Sequence, residues 1–146
     1  DPAKHPPFRI FDLDEPGVSV ASIRKDYASL VQNLRLIKRP GVNRWSEQGQ
    51  EWSEAALGED EAGRLLFGYS QTQHSMQDLV RVLLTSGIGI VAAQHLEGGR
   101  LAQLYLKLGD VELELFEGSE AASGKTRATA WPIPNVLGVR RRAASK

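Results

Sequence analysis

Residues 63–99, GRLLFGYSQTQHSMQDLVRVLLTSGIGIVAAQHLEGG, carry the signals that decide the fold. The apolar run Leu65–Tyr69 predicts one strand, and the compact run Ile88–Ala93 predicts a second strand that is buried on both faces. Between them Ser75, followed by an acid three residues later, predicts a capping box at the start of an amphipathic helix. Gly87 suits the end of that helix. The stretch therefore predicts strand, helix, strand.

Further elements are predicted on both sides of this stretch. Leucines alternate with polar residues before and after Gly109-Asp110, which predicts an antiparallel hairpin with one wet face. Upstream, the segment Ser22–Gln32 has apolar residues at helical spacing, and Leu34–Ile37 is a strand candidate. Downstream, the small and polar residues 117–129 predict a loop, and Ile133–Val139 is a candidate for a last strand.

Length and proline content predict one domain with two appendages. A chain of 146 residues is the size of a single domain and can bury roughly 70% of its unfolded surface. Four prolines in residues 1–17 predict an extended arm, for which a poorly ordered terminus is an equally good explanation. We assign residues 18–140 to the folded domain and residues 141–146 to a basic tail.

The charge balance excludes several classes of partner. Eighteen basic residues offset eighteen acidic ones, so no overall field attracts nucleic acid or an anionic membrane. The longest small or apolar run, Gly87–Ala93, falls far short of the ~20 residues that cross a bilayer. We therefore expect no nucleic-acid partner and no membrane span. The chain opens with Asp1 instead of methionine, so removal of an upstream segment is one explanation, and the sequence leaves localisation open.

The sequence gives no support for a cofactor. Residues 123–126, SGKT, end like a phosphate-binding loop, but the nearest upstream glycine, Gly118, leaves one residue too many. His5, His74 and His95 lie far apart and lack the spacing that places two imidazoles on one helix face. No cysteine is present, so thiolate metal sites and disulfides are excluded. We expect neither a nucleotide cofactor nor a metal.

The chemically suggestive motif is the acid followed by two glycines at Glu97-Gly98-Gly99. Glycines allow the backbone to approach a ligand, and a carboxylate can act as a general acid, a general base or an acceptor for sugar hydroxyls. The competing explanation is a tight turn with a surface glutamate, which composition alone favours, because glycine pairs mark turns first.

The order of these segments resembles the phosphodiester glycosidase family. In that family a GRLLF-like strand precedes a helix that starts S-x-x-[DE]-L, a second strand ends in L-D-G-G, and the domain closes near P-N-x-[LIV]-G-V. The counterparts here are Gly63–Phe67, Ser75–Leu79, Leu96–Gly99 and Pro134–Val139. The likeness spans roughly residues 28–140. It implies an α+β fold with a mixed sheet, here with one well-defined helix and a C-terminal antiparallel hairpin.

This sequence departs from the family pattern at the residues that matter for chemistry. Glu97 replaces the family's aspartate and is one methylene longer. Glu54 stands where the family motif R-[ST]-A-[IV]-G has an arginine suited to a phosphate, which reverses the local charge. The family's Q-S-G-P region keeps only Gln32, and Arg100 takes the place of a small polar residue after the two glycines.

The resemblance implies a secreted or envelope-associated hydrolase of sugar-1-phosphodiesters, with Glu97 as the acid or base. Gly98 and Gly99 would shape the pocket, and Arg100 could take over the phosphate-binding role that the family's arginine has at the position of Glu54. The implied ligand is a carbohydrate or a sugar phosphate. The predicted substrate-binding residues are Gln32, Asn33, Glu54, His95, Gly98, Gly99 and Arg100.

Two alternatives stay open. The first is a catalytically silent domain that binds a glycan or a protein on the same scaffold. The second is a fragment that works only with an N-terminal half, because the family's N-A-G-[FM]-F motif has no counterpart in residues 1–27. The fragment hypothesis predicts association with that half or self-association.

Overall fold

The structure is a computed structural model that describes residues 5–46, 49–119 and 129–140. The basic tail and most of the predicted loop 117–129 lie outside these residues. In chain order the elements are α1 (Val20–Ile23), β1 (Arg35–Lys38), β2 (Val42–Asn43), β3 (Trp52–Asp60), β4 (Leu65–His74), α2 (Met76–Thr85), β5 (Ile90–Gly98), a 3-10 turn (Gly99–Leu101), β6 (Gln103–Leu108) and β7 (Val111–Phe116).

The strands form a five-stranded sheet in the order β2-β1-β5-β3-β4 and a separate two-stranded hairpin, β6-β7. The strand pairings in both sheets are antiparallel. The α+β class is confirmed, as are the single sizeable helix and the C-terminal hairpin. The division of the chain at residues 17 and 140 stays a prediction.

Helix α2 begins and ends as the sequence predicts, although its cap differs in one detail. The Ser75 hydroxyl accepts a hydrogen bond from the Asp78 backbone N–H at 3.1 Å, which satisfies one free donor of the first turn. The Asp78 carboxylate accepts from the Ser75 hydroxyl at 2.9 Å. The predicted capping box is therefore half formed. Gly87 follows the helix with φ of 75°, a conformation that glycine adopts without strain.

The core lies between α2 and one face of the five-stranded sheet. Burying this cluster removes the apolar stripe of α2 from water, which is the main stabilising term for such a helix. Strand β5 runs through the middle of the sheet, and its first four residues are buried, as expected of a central strand. The buried cluster consists of Leu36, Ile37, Ala56, Leu79, Val80, Ile90 and Ala93.

Strand β3 is an element that the sequence did not reveal. Its residues from Ser53 to Asp60 are buried even though three of them are acidic. Asp60 closes the turn into β4, where its carboxylate accepts from the backbone N–H of Ala62 and Arg64 at 3.0 and 2.8 Å. The Arg64 guanidinium donates to the same carboxylate at 2.6 Å. Acids in this strand therefore have specific partners and do not mark a surface loop.

Two predicted elements do not form. Only the first two residues of the helix predicted over Ser22–Gln32 are helical, as the end of α1 at Ile23. Ser19 caps this short helix, and the chain then leaves it in a turn, so the apolar spacing downstream has no helix to follow. The last strand predicted over Ile133–Val139 is also wrong, since residues 129–140 contain no strand.

The N-terminal arm is bound to the sheet in residues 10–14. The backbone N–H of Ile10 donates to the buried Glu59 carboxylate at 2.8 Å. Asp12 is buried and pairs with Arg35. Asp14 contacts Arg35 and Lys38 of β1 at 3.0 and 2.8 Å. These contacts hold this part of the arm against the sheet.

Asp14 gives the arm a pH dependence that can be measured. Hydrogen bonds from Lys38 and Arg35 lower the pKa of Asp14 from 3.8 to about 2. A depressed carboxyl pKa contributes stability that is complete above the unfolded value and is lost as the pH falls through about 2. We expect an NMR titration of the Asp14 side chain to give a midpoint near 2. A midpoint near 3.8, unchanged by Lys38→Met, would show that Asp14 does not pair with Arg35 and Lys38.

Candidate functional site

The register between β3 and β5 decides where each residue of the acid-glycine motif points. Glu97 lies opposite Ala55, whereas His95 lies opposite Ala56, so the ladder contains an irregularity at Leu96. Directly opposed residues of an antiparallel pair share a face, and consecutive residues of a strand alternate between faces. A β-bulge adds one unpaired residue and thereby resets this alternation. Glu97 and His95 therefore lie on opposite faces of the sheet.

On the face covered by α2, the structure brings together Glu54, His95 and Gly98. The His95 Nε2 atom lies 2.6 Å from the Glu54 Oε2 atom. Both side chains are buried, with residue exposures of 1% for Glu54 and 9% for His95. Gly98 is opposite Glu54, and a Cβ atom there would be 3.2 Å from the Glu54 Oε2 atom. The carboxylate at the family's arginine position is thus buried and already has a partner.

The other predicted site residues do not join this pair. Glu97 is exposed, and its side chain makes no hydrogen bond or ion pair within the part of the chain that the structure describes. Gln32 is exposed in the segment before β1. The Asn33 side chain donates to the Leu96 carbonyl at 3.1 Å, so it holds that segment against the irregular position of β5.

The second glycine of the motif belongs to the 3-10 turn after β5. Gly99 is buried and has φ of 60°, which favours glycine. Its carbonyl accepts from the Ser53 hydroxyl at 3.1 Å and from the Ala102 backbone N–H at 3.0 Å. The turn is therefore fixed to β3 on its inner side. Arg100, the next residue, keeps a side chain that is 66% exposed.

Arg100 lines a cavity of about 360 Å³ between this turn and the end of the hairpin. Its guanidinium carbon lies 5.1 Å from the centre of the Trp131 ring. Its Nε atom lies 3.9 Å from an oxygen of the Glu117 carboxylate. The Gln103 side chain donates to the backbone carbonyls of Arg100 and Trp131 at 3.3 and 2.8 Å, so it joins the two walls. The lining residues are Arg100, Phe116, Glu117, Gly118, Thr129 and Trp131.

Glu117 and Trp131 are functional candidates that the sequence did not indicate. Each is an isolated residue in a segment without periodicity, and neither occurs in a recognised motif. Only the folding of the chain places them beside Arg100. A polar cavity that combines a guanidinium, a carboxylate and an aromatic face can bind an anionic group together with hydroxyls or a ring.

Tyr69 lies close to the same region from strand β4. Its hydroxyl is buried and has no hydrogen-bond partner among the residues that the structure describes. Burial raises the pKa of this phenol, the nearby Ser53 hydroxyl opposes that change, and the Glu117 charge adds to it. The phenol therefore stays protonated at neutral pH and can donate a hydrogen bond.

Potential metal ligands are dispersed in the described part of the chain. No group of three or more of them occurs among residues 5–46, 49–119 and 129–140. Within the same ranges, none of the helices has the length and apolar character needed to span a bilayer. A second cavity, of about 310 Å³, lies between β2 and α2. It shares no lining residue with the cavity at Arg100.

The fold and the motif together define an α+β domain with an acid-glycine turn at the end of its central strand. The chain matches the family model described as phosphodiester glycosidase over residues 5–140. It therefore belongs to the phosphodiester glycosidase family. No curated protein and no solved structure gives a significant match.

Proposed function

We propose that this phosphodiester glycosidase-like domain binds a sugar phosphodiester at the Arg100 cavity. The observation that carries the proposal is the exposed Arg100 guanidinium, which lies over the Trp131 ring in a cavity of about 360 Å³ directly after the acid-glycine motif. Guanidinium groups bind phosphate oxygens through charge-assisted, often bidentate hydrogen bonds. Arg100 thus replaces the arginine that the family motif has at the position of Glu54.

The buried pair supports placing the phosphate at Arg100 and not at the family's arginine position. Glu54 is 1% exposed, and its carboxylate lies 2.6 Å from the His95 ring nitrogen. A phosphate brought to this point would meet a like charge in a region without room for it. Glu54, His95 and Gly98, predicted to bind substrate, therefore act as structural support below the turn in this proposal.

The proposal favours binding without turnover. A general acid has to come within about 3 Å of the leaving oxygen, and its pKa is usually tuned by burial. Glu97 is exposed, lies across the sheet from the buried pair, and lines neither cavity. The side chains that can bind a ligand in the cavity are those of Arg100, Glu117 and Trp131. Glu97 is not among them.

Binding can be tested by calorimetry with the methyl diester of a sugar 1-phosphate. We expect Arg100→Ala to weaken the affinity by about tenfold or more, because this variant has no guanidinium to bind the phosphate oxygens. Arg24→Ala, which removes the same charge from the N-terminal segment, is the matched control and should leave the affinity unchanged. Equal affinities for the parent and Arg100→Ala would contradict the proposed site.

Hydrolysis by Glu97 is the second candidate, and membership of the phosphodiester glycosidase family is the observation that favours it. Glu97 would act as the acid or base, with Gln32 and Asn33 near the substrate. A chromogenic sugar-1-phosphodiester separates the two functions. Release of the chromophore by the parent chain, abolished in Glu97→Gln but with binding retained, would establish hydrolysis in place of binding alone.

We also propose that a partner covers the apolar face of the hairpin. Leu106, Leu108 and Val111 share that face, and their exposures are 44%, 63% and 59%. The residues of this face farther from the turn are half-buried, so only its outer part is uncovered, and an exposed apolar patch of this kind marks an interaction site. We propose that an N-terminal half or a second copy of the chain covers this face. A chain that is monomeric and unfolds in one sharp, cooperative thermal transition would argue against both partners.

A further inference from the structure

We infer that two copies of this chain associate by pairing residues 135–139 of one copy with the free edge of β4 in the other. The inference does not depend on phosphate binding at Arg100. It rests on two features that are each incomplete within one copy. One is a long sheet edge without a neighbouring strand, and the other is an apolar segment that belongs to neither sheet. Each feature can supply what the other lacks.

Strand β4 forms one edge of the five-stranded sheet and pairs only with β3 among the described residues. Its residues from Leu65 to Ser70 keep a regular register with β3, and the irregularity of this pair lies beyond them, between Trp52 and Glu54 of β3. This regular part contains neither a charged residue nor a proline, which are devices that usually protect a sheet edge. The opposite edge, β2, is protected by its length of two residues. β4 is therefore the edge to which another strand can add.

The segment after Pro134 has the composition of a strand but no partner in its own copy. Residues 135–139 contain two valines and a leucine and no charged residue. Val136 and Val139 are 75% and 73% exposed. The backbone of residues 132–140 makes no hydrogen bond within the part of the chain that the structure describes. Pairing with a sheet edge would therefore break no internal hydrogen bond of this segment.

The beginning of this segment is fixed to the domain by Gln103. The Gln103 side chain donates to the Trp131 carbonyl at 2.8 Å. Pro132 and Pro134 then restrict the backbone, because proline fixes its own φ and disfavours helical conformations in the residue before it. Residues 135–139 thus follow a fixed and extended stem, which lowers the conformational entropy that pairing costs.

A second copy of the chain is the partner that these features favour. A strand that adds to a sheet edge is held mainly by main-chain hydrogen bonds, which both features have available. Two copies offer two edges and two segments, so a reciprocal exchange leaves none of them unpaired. Neither the regular part of β4 nor residues 135–139 carries a charge, so no like-charge repulsion opposes the pairing.

Sedimentation velocity over a concentration series tests the association, with the full chain and with the double variant Val136→Pro/Leu137→Pro. Consecutive residues of a strand direct their N–H groups to opposite sides, so one of the two prolines removes a donor to β4 in any register. We expect the parent chain to dimerise and the double variant to have a dissociation constant about tenfold higher or more. Leu30→Pro/Val31→Pro is the matched control. It changes exposed apolar residues of another segment without secondary structure and should keep the parent's constant.

Hydrogen exchange followed by NMR shows whether β4 is the edge that is used. In the parent chain, the amides of Leu65–Ser70 that do not bond to β3 should exchange more slowly as the concentration rises, and this protection should be absent in the double variant. A parent chain that stays monomeric would overturn the inference without any variant. A dimer that persists unchanged in the double variant, or one that leaves these amides unprotected, would overturn it as well. None of these results bears on the calorimetry with Arg100→Ala, so the two proposals fail separately.

Discussion

Replacement of His95 by alanine is expected to lower the free energy of unfolding by about 3–5 kcal/mol, the usual cost of leaving one member of a buried pair without its partner. Glu54 is 1% exposed, and the His95 ring nitrogen is 2.6 Å from its carboxylate. The variant would retain the carboxylate in the sheet interior and would also leave a cavity where the imidazole was. Urea unfolding followed by circular dichroism measures the loss.

Two further variants show whether the cost comes from the unpaired carboxylate. Glu54→Gln combined with His95→Ala removes the buried charge, so we expect this double variant to recover part of the stability lost in His95→Ala. His74→Ala is the matched control in β4, with no side-chain hydrogen bond in the described chain, and should cost under about 1 kcal/mol. Equal losses for His74→Ala and His95→Ala would show that the pair is not a structural element.

The parts of the fold that the sequence predicts correctly are those with local signals. Helix α2 has a capping serine, an apolar stripe and a terminal glycine within about three turns. The β6-β7 hairpin has strict alternation around Gly109-Asp110. In each case the residues that decide the structure are neighbours in the chain, so no knowledge of distant contacts is needed.

The errors arise where distant residues decide the structure. Strand β3 contains Glu54, Glu59 and Asp60, which lower its strand propensity, yet each finds a partner far along the chain or across a turn. The predicted helix over Ser22–Gln32 had the correct spacing, but α1 ends at Ile23. Periodicity shows which residues would share a face and does not show whether tertiary contacts maintain the helix.

The candidate site shows the same division. The motif itself could be read from the sequence, and Arg100 lines a cavity, while its role toward a phosphate stays a prediction. The sequence could not predict that the side chains of Glu97 and His95 lie on opposite faces of the sheet, because this depends on a register irregularity at Leu96. One extra residue in a strand reverses the alternation of the residues beyond it, and no residue type marks that position reliably.

Gly98→Val is expected to be the second most damaging substitution, and its cause is the same buried pair. A Cβ atom at Gly98 would be 3.2, 3.5 and 3.6 Å from the two oxygens and the carboxyl carbon of Glu54. The carboxylate cannot move away without breaking its 2.6 Å contact with His95. Overpacking of this kind costs about 1–3 kcal/mol, and the additional methyl groups of valine place this variant at the upper end.

The sign of the coupling between Gly98 and Glu54 tests why the motif has a glycine at this position. If Gly98 makes room for the carboxylate, Glu54→Ala should relieve the clash, so the double variant should be more stable than the sum of the single losses by about 1 kcal/mol or more. Gly68→Val, where a Cβ atom meets nothing closer than 3.7 Å, is the control and should cost little. Additive losses in the double variant, measured by urea unfolding, would mean that Gly98 does not make room for Glu54. The glycine would then be needed for its backbone, for example to form the wall of a pocket. A coupled pair would instead make this glycine part of the support beneath the turn that presents Arg100.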